Sequence, residues 1–211
     1  DSTHTELIDV PNKPFPVNPL SFIDGINEQN KKMGIDKFVD IITKYQSLGI
    51  KQQGKLREAI QECFKDQKPK EYPSLQEINE KLIEIVGEDK KDSLTQIIED
   101  LSRYTIFSNG KTLDTNFLER NLYLSLSGDL APQIRFTSLF LIINYIYNMF
   151  MNMENTPVSD EGYRAMRYVI LIDEAHVIFK EKKYHDILEK ILREIRSKGV
   201  SVILLSQGIE E

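Results

Sequence analysis

Five apolar residues in succession, Tyr168-Val169-Ile170-Leu171-Ile172, run straight into two acids, Asp173-Glu174. An apolar run without polar alternation is what a strand shows when both faces of a parallel sheet are covered. A second run, Val200 to Leu205, follows Ile187, Leu188, Ile191, Leu192 and Ile195 at helical spacing, a helix that Gly199 ends. A third, Leu122 to Leu126, stops at Gly128, and a long helix from about Gln133 to Met153 leads on from it. Strand, helix, strand, helix, strand at this spacing predicts an α/β fold of parallel βαβ units with right-handed crossovers.

The first half reads as helices. Phe38, Ile41, Ile42, Tyr45 and Leu48 repeat at helical spacing, as do Leu56, Ala59, Ile60, Cys63 and Phe64. Ser74 with Glu77, and Ser93 with Gln96, have the spacing of capping boxes and predict two more helix starts. Leu7 to Val10 is expected as a short strand, and the Pro-rich Pro11 to Pro19 as extended chain.

Composition narrows the setting. At 211 residues, 40% hydrophobic and 28% charged, the chain can bury a core without covalent staples. The single cysteine, Cys63, has no internal disulfide partner. The net charge of −6 argues against a uniformly basic nucleic-acid coat, though not against a local basic patch. Asp1, His4 and Glu6 do not open an apolar leader. Leu139 to Met153 is broken by Asn144, Asn148 and Asn152, four apart, which reads as a buried helix with a polar seam rather than a bilayer span. A reducing, cytoplasmic setting without a membrane is the expectation.

Parallel neighbours present their C-terminal ends to one edge, where open α/β sheets bind ligands. The residues there are Ser127-Gly128-Asp129, Asp173-Glu174-Ala175-His176 and Ser206-Gln207-Gly208. An apolar strand ending in two acids is the Walker B pattern. The first acid, Asp173, would hold Mg²⁺ through its water shell, and the second, Glu174, would orient or deprotonate the attacking water. A strand ending in solvated acids would look the same. Gln207 fits a sensor of the γ-phosphate and lytic water, or a plain turn residue. His176 fits a relay beyond the site, or a helix-start histidine with one backbone bond. His4 and His185 lack partners for metal binding.

From Lys180 to Lys198 seven Lys or Arg stand against four acids. Arg196 first, and Arg193 second, fit an arginine that reaches a neighbouring subunit's phosphoryl group. A solvated helix face accounts for them equally well. Asn109-Gly110-Lys111-Thr112 ends like a phosphate loop, but Thr105 stands where its first glycine belongs, and a hairpin turn fits better. Ser125-Leu126-Ser127-Gly128 lacks the first glycine of a nucleophile elbow.

With these residues assembled, the chain resembles the HerA/FtsK group of P-loop ATPases, which includes the conjugation ATPases of the VirB4 and TraG type. Ile170-Leu171-Ile172-Asp173-Glu174-Ala175-His176 is similar to its Walker B strand. Leu204-Leu205-Ser206-Gln207 is similar to its sensor strand, with Ser for Thr, and Arg193 to Gly199 to its Arg-Lys-x-Gly stretch. Pro16-Val17-Asn18-Pro19-Leu20 looks like the Asn-Pro-Leu segment downstream of the family's P-loop. Gln53 to Ile60 looks like a helix of its helical insertion, and Leu124 to Gly128 like a further core strand.

The resemblance implies a RecA-like parallel sheet with helices on both faces, a helical insertion over 21–105 and an α/β core over 106–211. It implies ATP and Mg²⁺ as cofactors, with Asp173, Glu174 and Gln207 at the nucleotide. It implies DNA as partner, a homo-hexameric ring, and hydrolysis coupled to DNA translocation. More narrowly, the chain is similar to the ATPase region of restriction proteins that accompany DNA phosphorothioation. The family's Walker A would fall before Asp1, so these 211 residues alone are expected to hydrolyse ATP poorly. Two alternatives stay open. Asp-Glu-Ala-His also fits a superfamily-2 helicase, although Ser-Gln then replaces Ser-Ala-Thr. A non-catalytic scaffold on a degenerate nucleotide fold fits the missing Walker A.

Overall fold

The computed structural model describes residues 4–110, 117–175 and 182–206. The chain divides into two compact units, Asp1–Tyr145 and Ile146–Glu211. Within the described residues each unit holds one pair of parallel strands.

In the first unit β1 (Thr5–Val10) pairs with β2 (Asn121–Leu126), from Thr5 opposite Asn121 to Val10 opposite Leu126. Ile8 and Val10 are fully buried, while Leu7 and its cross-strand partner Tyr123 are more than half exposed. Between the two strands lie α1 (Glu28–Gln46), α2 (Ile50–Lys65), α3 (Leu75–Val86) and α4 (Ser93–Arg103). These helices pack in succession, and α4 returns to α1. Their apolar stripes explain this. Leu75, Ile78, Leu82 and Val86 line one side of α3, and Leu94, Ile97, Ile98 and Leu101 one side of α4. Each such buried side chain contributes roughly 1.5–3 kcal/mol.

The expected capping box of α3 is present. Ser74 Oγ accepts from the Glu77 N–H at 3.1 Å, and Glu77 Oε2 accepts from the Ser74 N–H at 2.7 Å. The start of α4 differs by one residue. Asp92 is the cap, accepting from the N–H groups of Leu94 and Thr95, and Thr95 Oγ1 accepts in return from the Asp92 N–H. Ser93 is the first helical residue. A carboxylate is both a stronger acceptor than a hydroxyl and favoured at the positive end of a helix.

Pro11 to Pro19 forms turns rather than a straight extended segment. It is fixed by Asn18, which is 2% exposed. Asn18 Nδ2 donates to the carbonyls of Pro73 (2.9 Å) and Gly110 (3.3 Å), and its Oδ1 accepts from the Leu20 N–H. The anticipated hairpin after Asn109-Gly110 runs into Lys111 and Thr112, outside the described residues.

Helix α5 (Pro132–Met151) begins in the first unit and ends in the second. Pro132 at its first position costs no hydrogen bond. By length and composition alone α5 could cross a membrane, yet half of its apolar window is buried inside the protein.

The second unit contains β3 (Tyr168–Ile172), α6 (Lys182–Ile195) and β4 (Val200–Leu204). β3 and β4 pair in parallel from Tyr168 opposite Val200 to Ile172 opposite Leu204, a βαβ unit as anticipated. Coverage of the strands differs from what their apolar runs suggest. Val169 is 51% and Leu171 55% exposed, and Ile203, opposite Leu171, is 43% exposed. Among the described residues, these side chains on β3 and β4 are exposed.

Candidate functional site

The two acids follow the last residue of β3, and the backbone there is unusual. Glu174 adopts φ +52°, the left-handed region that non-glycine residues pay about 1–2 kcal/mol to enter. The conformation is held from both sides. The Glu174 N–H donates to Asp173 Oδ1 at 2.8 Å, and the next N–H, of Ala175, donates to the Leu205 carbonyl at 2.9 Å. Leu205 in turn donates to the Ile172 carbonyl at 2.9 Å. The ends of β3 and β4 are thus stitched beyond the strands themselves, with Asp173 exposed and Glu174 half-buried. Such a strained acid at a strand end marks a site where geometry is imposed by the fold rather than chosen by the residue.

Asp173 suits a hydrated divalent cation. One carboxylate oxygen is engaged by the Glu174 N–H, which fixes the group's orientation, and Oδ2 has no hydrogen bond among the described residues. The described residues hold no cluster of three metal-ligating side chains. Mg²⁺ bound with a nucleotide needs none, because it keeps several waters and takes one or two carboxylates plus phosphate oxygens. Ser206 lies just past Leu205 and is exposed. Gln207 and His176 lie outside the described residues.

Ser127 and Asp129, expected at the same edge, stand at the end of β2 in the first unit. There the Ser127 N–H donates to the Val10 carbonyl, and the Asp129 N–H donates to Ser127 Oγ at 3.2 Å.

The two candidate arginines are not equivalent. Arg193 is exposed and ion-paired to Glu189 one helical turn earlier, an arrangement that contributes a few tenths of a kcal/mol to a helix. Arg196 lies past the end of α6, in a short 3₁₀ turn, and its guanidinium has no hydrogen bond or ion pair among the described residues. It stands before the start of β4, whereas the acids follow the end of β3. The backbones of Arg196 and Asp173 are therefore at opposite ends of the strand pair, separated by a strand length of roughly 16 Å. Arg196 opens on a groove of about 450 Å³ that Arg164, Met166, Leu192, Val202 and Leu204 also line.

Several residues of this region carry no signal in the sequence. Thr156, 3% exposed, contacts the Arg196 turn from a loop whose composition is merely polar. Tyr147 donates to the Glu194 carboxylate, and burial together with that contact pushes its hydroxyl up to about 12. In the sequence Gly199 reads only as a helix stop. It also has φ +76°, and a Cβ there would lie 2.6 Å from both the Ala165 carbonyl oxygen and Thr156 Cγ2.

Parallel strand pairs with helical crossovers define an α/β fold, with an acidic strand end as its candidate site. A solved structure with that fold is VirB4 of Thermoanaerobacter pseudethanolicus, which superposes with a TM-score of 0.65 at 14% identity, over 96% of this chain. The chain spans 56% of the VirB4 chain, a little over half its length. No protein-family model and no curated protein sequence matches the chain.

Proposed function

We propose that this chain is the Walker B and sensor portion of an ATPase that acts as a ring of identical subunits. The observation that carries this reading is the strained Asp173-Glu174 pair at the end of β3, stitched to the end of β4 in a chain with the VirB4 fold. Mg²⁺-ATP, when bound, supplies the phosphoryl group and the charge neutralisation. Asp173 orients the cation's water shell. Glu174 holds the attacking water and takes its proton, and Gln207 senses the γ-phosphate.

Arg196 acts on the nucleotide of the adjacent copy. Its guanidinium, without a hydrogen bond or ion pair among the described residues, and its place at the far end of the strand pair from its own acids both favour action in trans, and the ion-paired Arg193 becomes the weaker choice. The cargo is DNA, on the strength of the resemblance to HerA/FtsK and conjugation ATPases, and the cellular role is DNA restriction or defence in the cytoplasm.

The test uses the full-length protein. Glu174→Gln should bind Mg²⁺-ATP and assemble, yet lose at least about 100-fold in turnover. Wild-type turnover by that variant would overturn the site. Salt-dependent DNA binding, weakened by charge reversal between Lys180 and Lys198, supports DNA as cargo. Binding insensitive to salt would count against backbone contact by that segment.

A further inference from the structure

The connection between α5 and β3 converges on the turn that carries Arg196. Thr156 donates its N–H to the Ser197 carbonyl at 3.1 Å. Arg164 Nη1 donates to the Thr156 carbonyl at 2.6 Å and to the Ser197 carbonyl at 3.2 Å, so one guanidinium grips both sides of that contact. Lys198 Nζ reaches back to the Met153 carbonyl at 2.8 Å. The N–H groups of Arg167 and Tyr168 both donate to the Gly199 carbonyl, at 2.7 and 3.2 Å. Gly199 closes the turn with no room for a side chain against Ala165 and Thr156.

Around Arg196, then, the polar side chains are committed. Arg193 pairs with Glu189, Glu194 accepts from Tyr147, Ser197 Oγ donates to the Glu194 carbonyl, and Lys198 is bound to Met153. Among the described residues, the Arg196 side chain makes no hydrogen bond or ion pair, while the backbone beside it is held at Ser197 and Gly199.

We propose that Arg164 is a positioning residue for Arg196. It clamps the Ser197 carbonyl so that the neighbouring Arg196 is presented at one fixed place on the groove the two arginines share. Arginine suits this role because its planar fork offers several fixed donors, all permanently charged. A transition-state contact gains from such pre-organisation, since a misplacement of about 1 Å from a change outside the chemistry costs about 10²-fold in rate. The inference rests on the reading that Arg196 serves a neighbouring copy's nucleotide.

The experiment measures kcat and KM for ATP in the assembled full-length protein for Arg196→Ala, Arg164→Ala, Arg164→Lys and the double alanine variant. Arg196→Ala should lower kcat by on the order of 10³-fold. Arg164→Ala should lower it by about 10²-fold, with KM, assembly and melting temperature unchanged. Arg164→Lys should recover part of the loss, because an ammonium can still bond a carbonyl. The double variant should be no worse than Arg196→Ala, as expected when one residue acts only through the other.

Normal kcat in Arg164→Ala, with Arg196→Ala impaired, overturns the positioning role and leaves the Arg196 reading standing. Full multiplicative loss in the double variant overturns it too. Normal kcat in Arg196→Ala sinks the Arg196 reading, and this inference with it. If Arg164→Ala does not fold, the lysine variant decides: a kcat deficit at unchanged KM and melting temperature supports the clamp, and wild-type kcat refutes it.

Discussion

Ala175 donates its backbone N–H to the carbonyl of Leu205 at 2.9 Å, which ties the residues after β3 to the residue after β4. Asp173 and Glu174 sit immediately before that bond, and Gln207 follows Leu205 by two residues in the sequence. A second bond, from the Leu205 N–H to the Ile172 carbonyl at 2.9 Å, joins the same strand ends.

The left-handed conformation of Glu174 separates stability from function at one position. Glu174→Gly removes about 1–2 kcal/mol of backbone strain and loses about 0.5–1 kcal/mol to the greater freedom of the unfolded glycine. The expected net is unchanged stability or a gain of up to about 1.5 kcal/mol, read from urea denaturation, with ATP turnover abolished. A clear loss of stability would show that the glutamate side chain holds the turn.

Asn18 joins three segments from within the core of the first unit. Asn18→Ala leaves the Pro73 and Gly110 carbonyls and the Leu20 N–H without this partner. The expected cost is about 2–3 kcal/mol, the penalty for stranding buried polar groups, measured as a lowered denaturation midpoint. A cost below about 0.5 kcal/mol, the range of ordinary surface substitutions, would mean that the three segments hold together without it.

Cys63 is 5% exposed, and burial pushes its thiol up to about 11 from an ordinary 9.0, with the nearby Glu77 charge adding to the rise. The folded protein favours the neutral thiol. This contribution to stability is fully present below pH 9 and is lost as pH rises through 11. A thiol reagent at pH 8 should label the native protein slowly and the denatured protein at the rate of a free thiol. Equal rates would place Cys63 at the surface.

The exposed side chains on one face of the β3–β4 pair can be tested by contrast. Leu171, 55% exposed, should tolerate replacement by Thr at a cost within about 0.5 kcal/mol. Leu188, 2% exposed, should lose about 2–5 kcal/mol on replacement by Ala. A comparable cost at Leu171 would mean that this face is covered in solution.

Leu171 also shows where sequence reading stops. An apolar run identifies a parallel strand and fixes its ends, so β3 and β4 are legible nearly to the residue, and the acids after β3 with them. The same run reads identically whether a face is covered or open, because coverage belongs to other parts of the molecule. The pairing of β1 with β2 joins residues more than a hundred positions apart, with no local signal to announce it. At the start of α4, Asp92 and Ser93 are both good caps, and the choice turned on which one Thr95 could reciprocate. The positive φ of Glu174 is invisible for a further reason: propensity favours glycine or asparagine there, and the fold overrides it.

The boundary between the two units falls between Tyr145 and Ile146, inside the continuous helix α5. Most domain boundaries lie in exposed linkers that can be cut, lengthened or grafted. Here a truncation at the boundary would leave a helix stump on each piece, with free carbonyls on one and free N–H groups on the other. The apolar surface of α5 would be divided between them. Shortened versions for expression or crystallisation should therefore keep Pro132–Met151 whole.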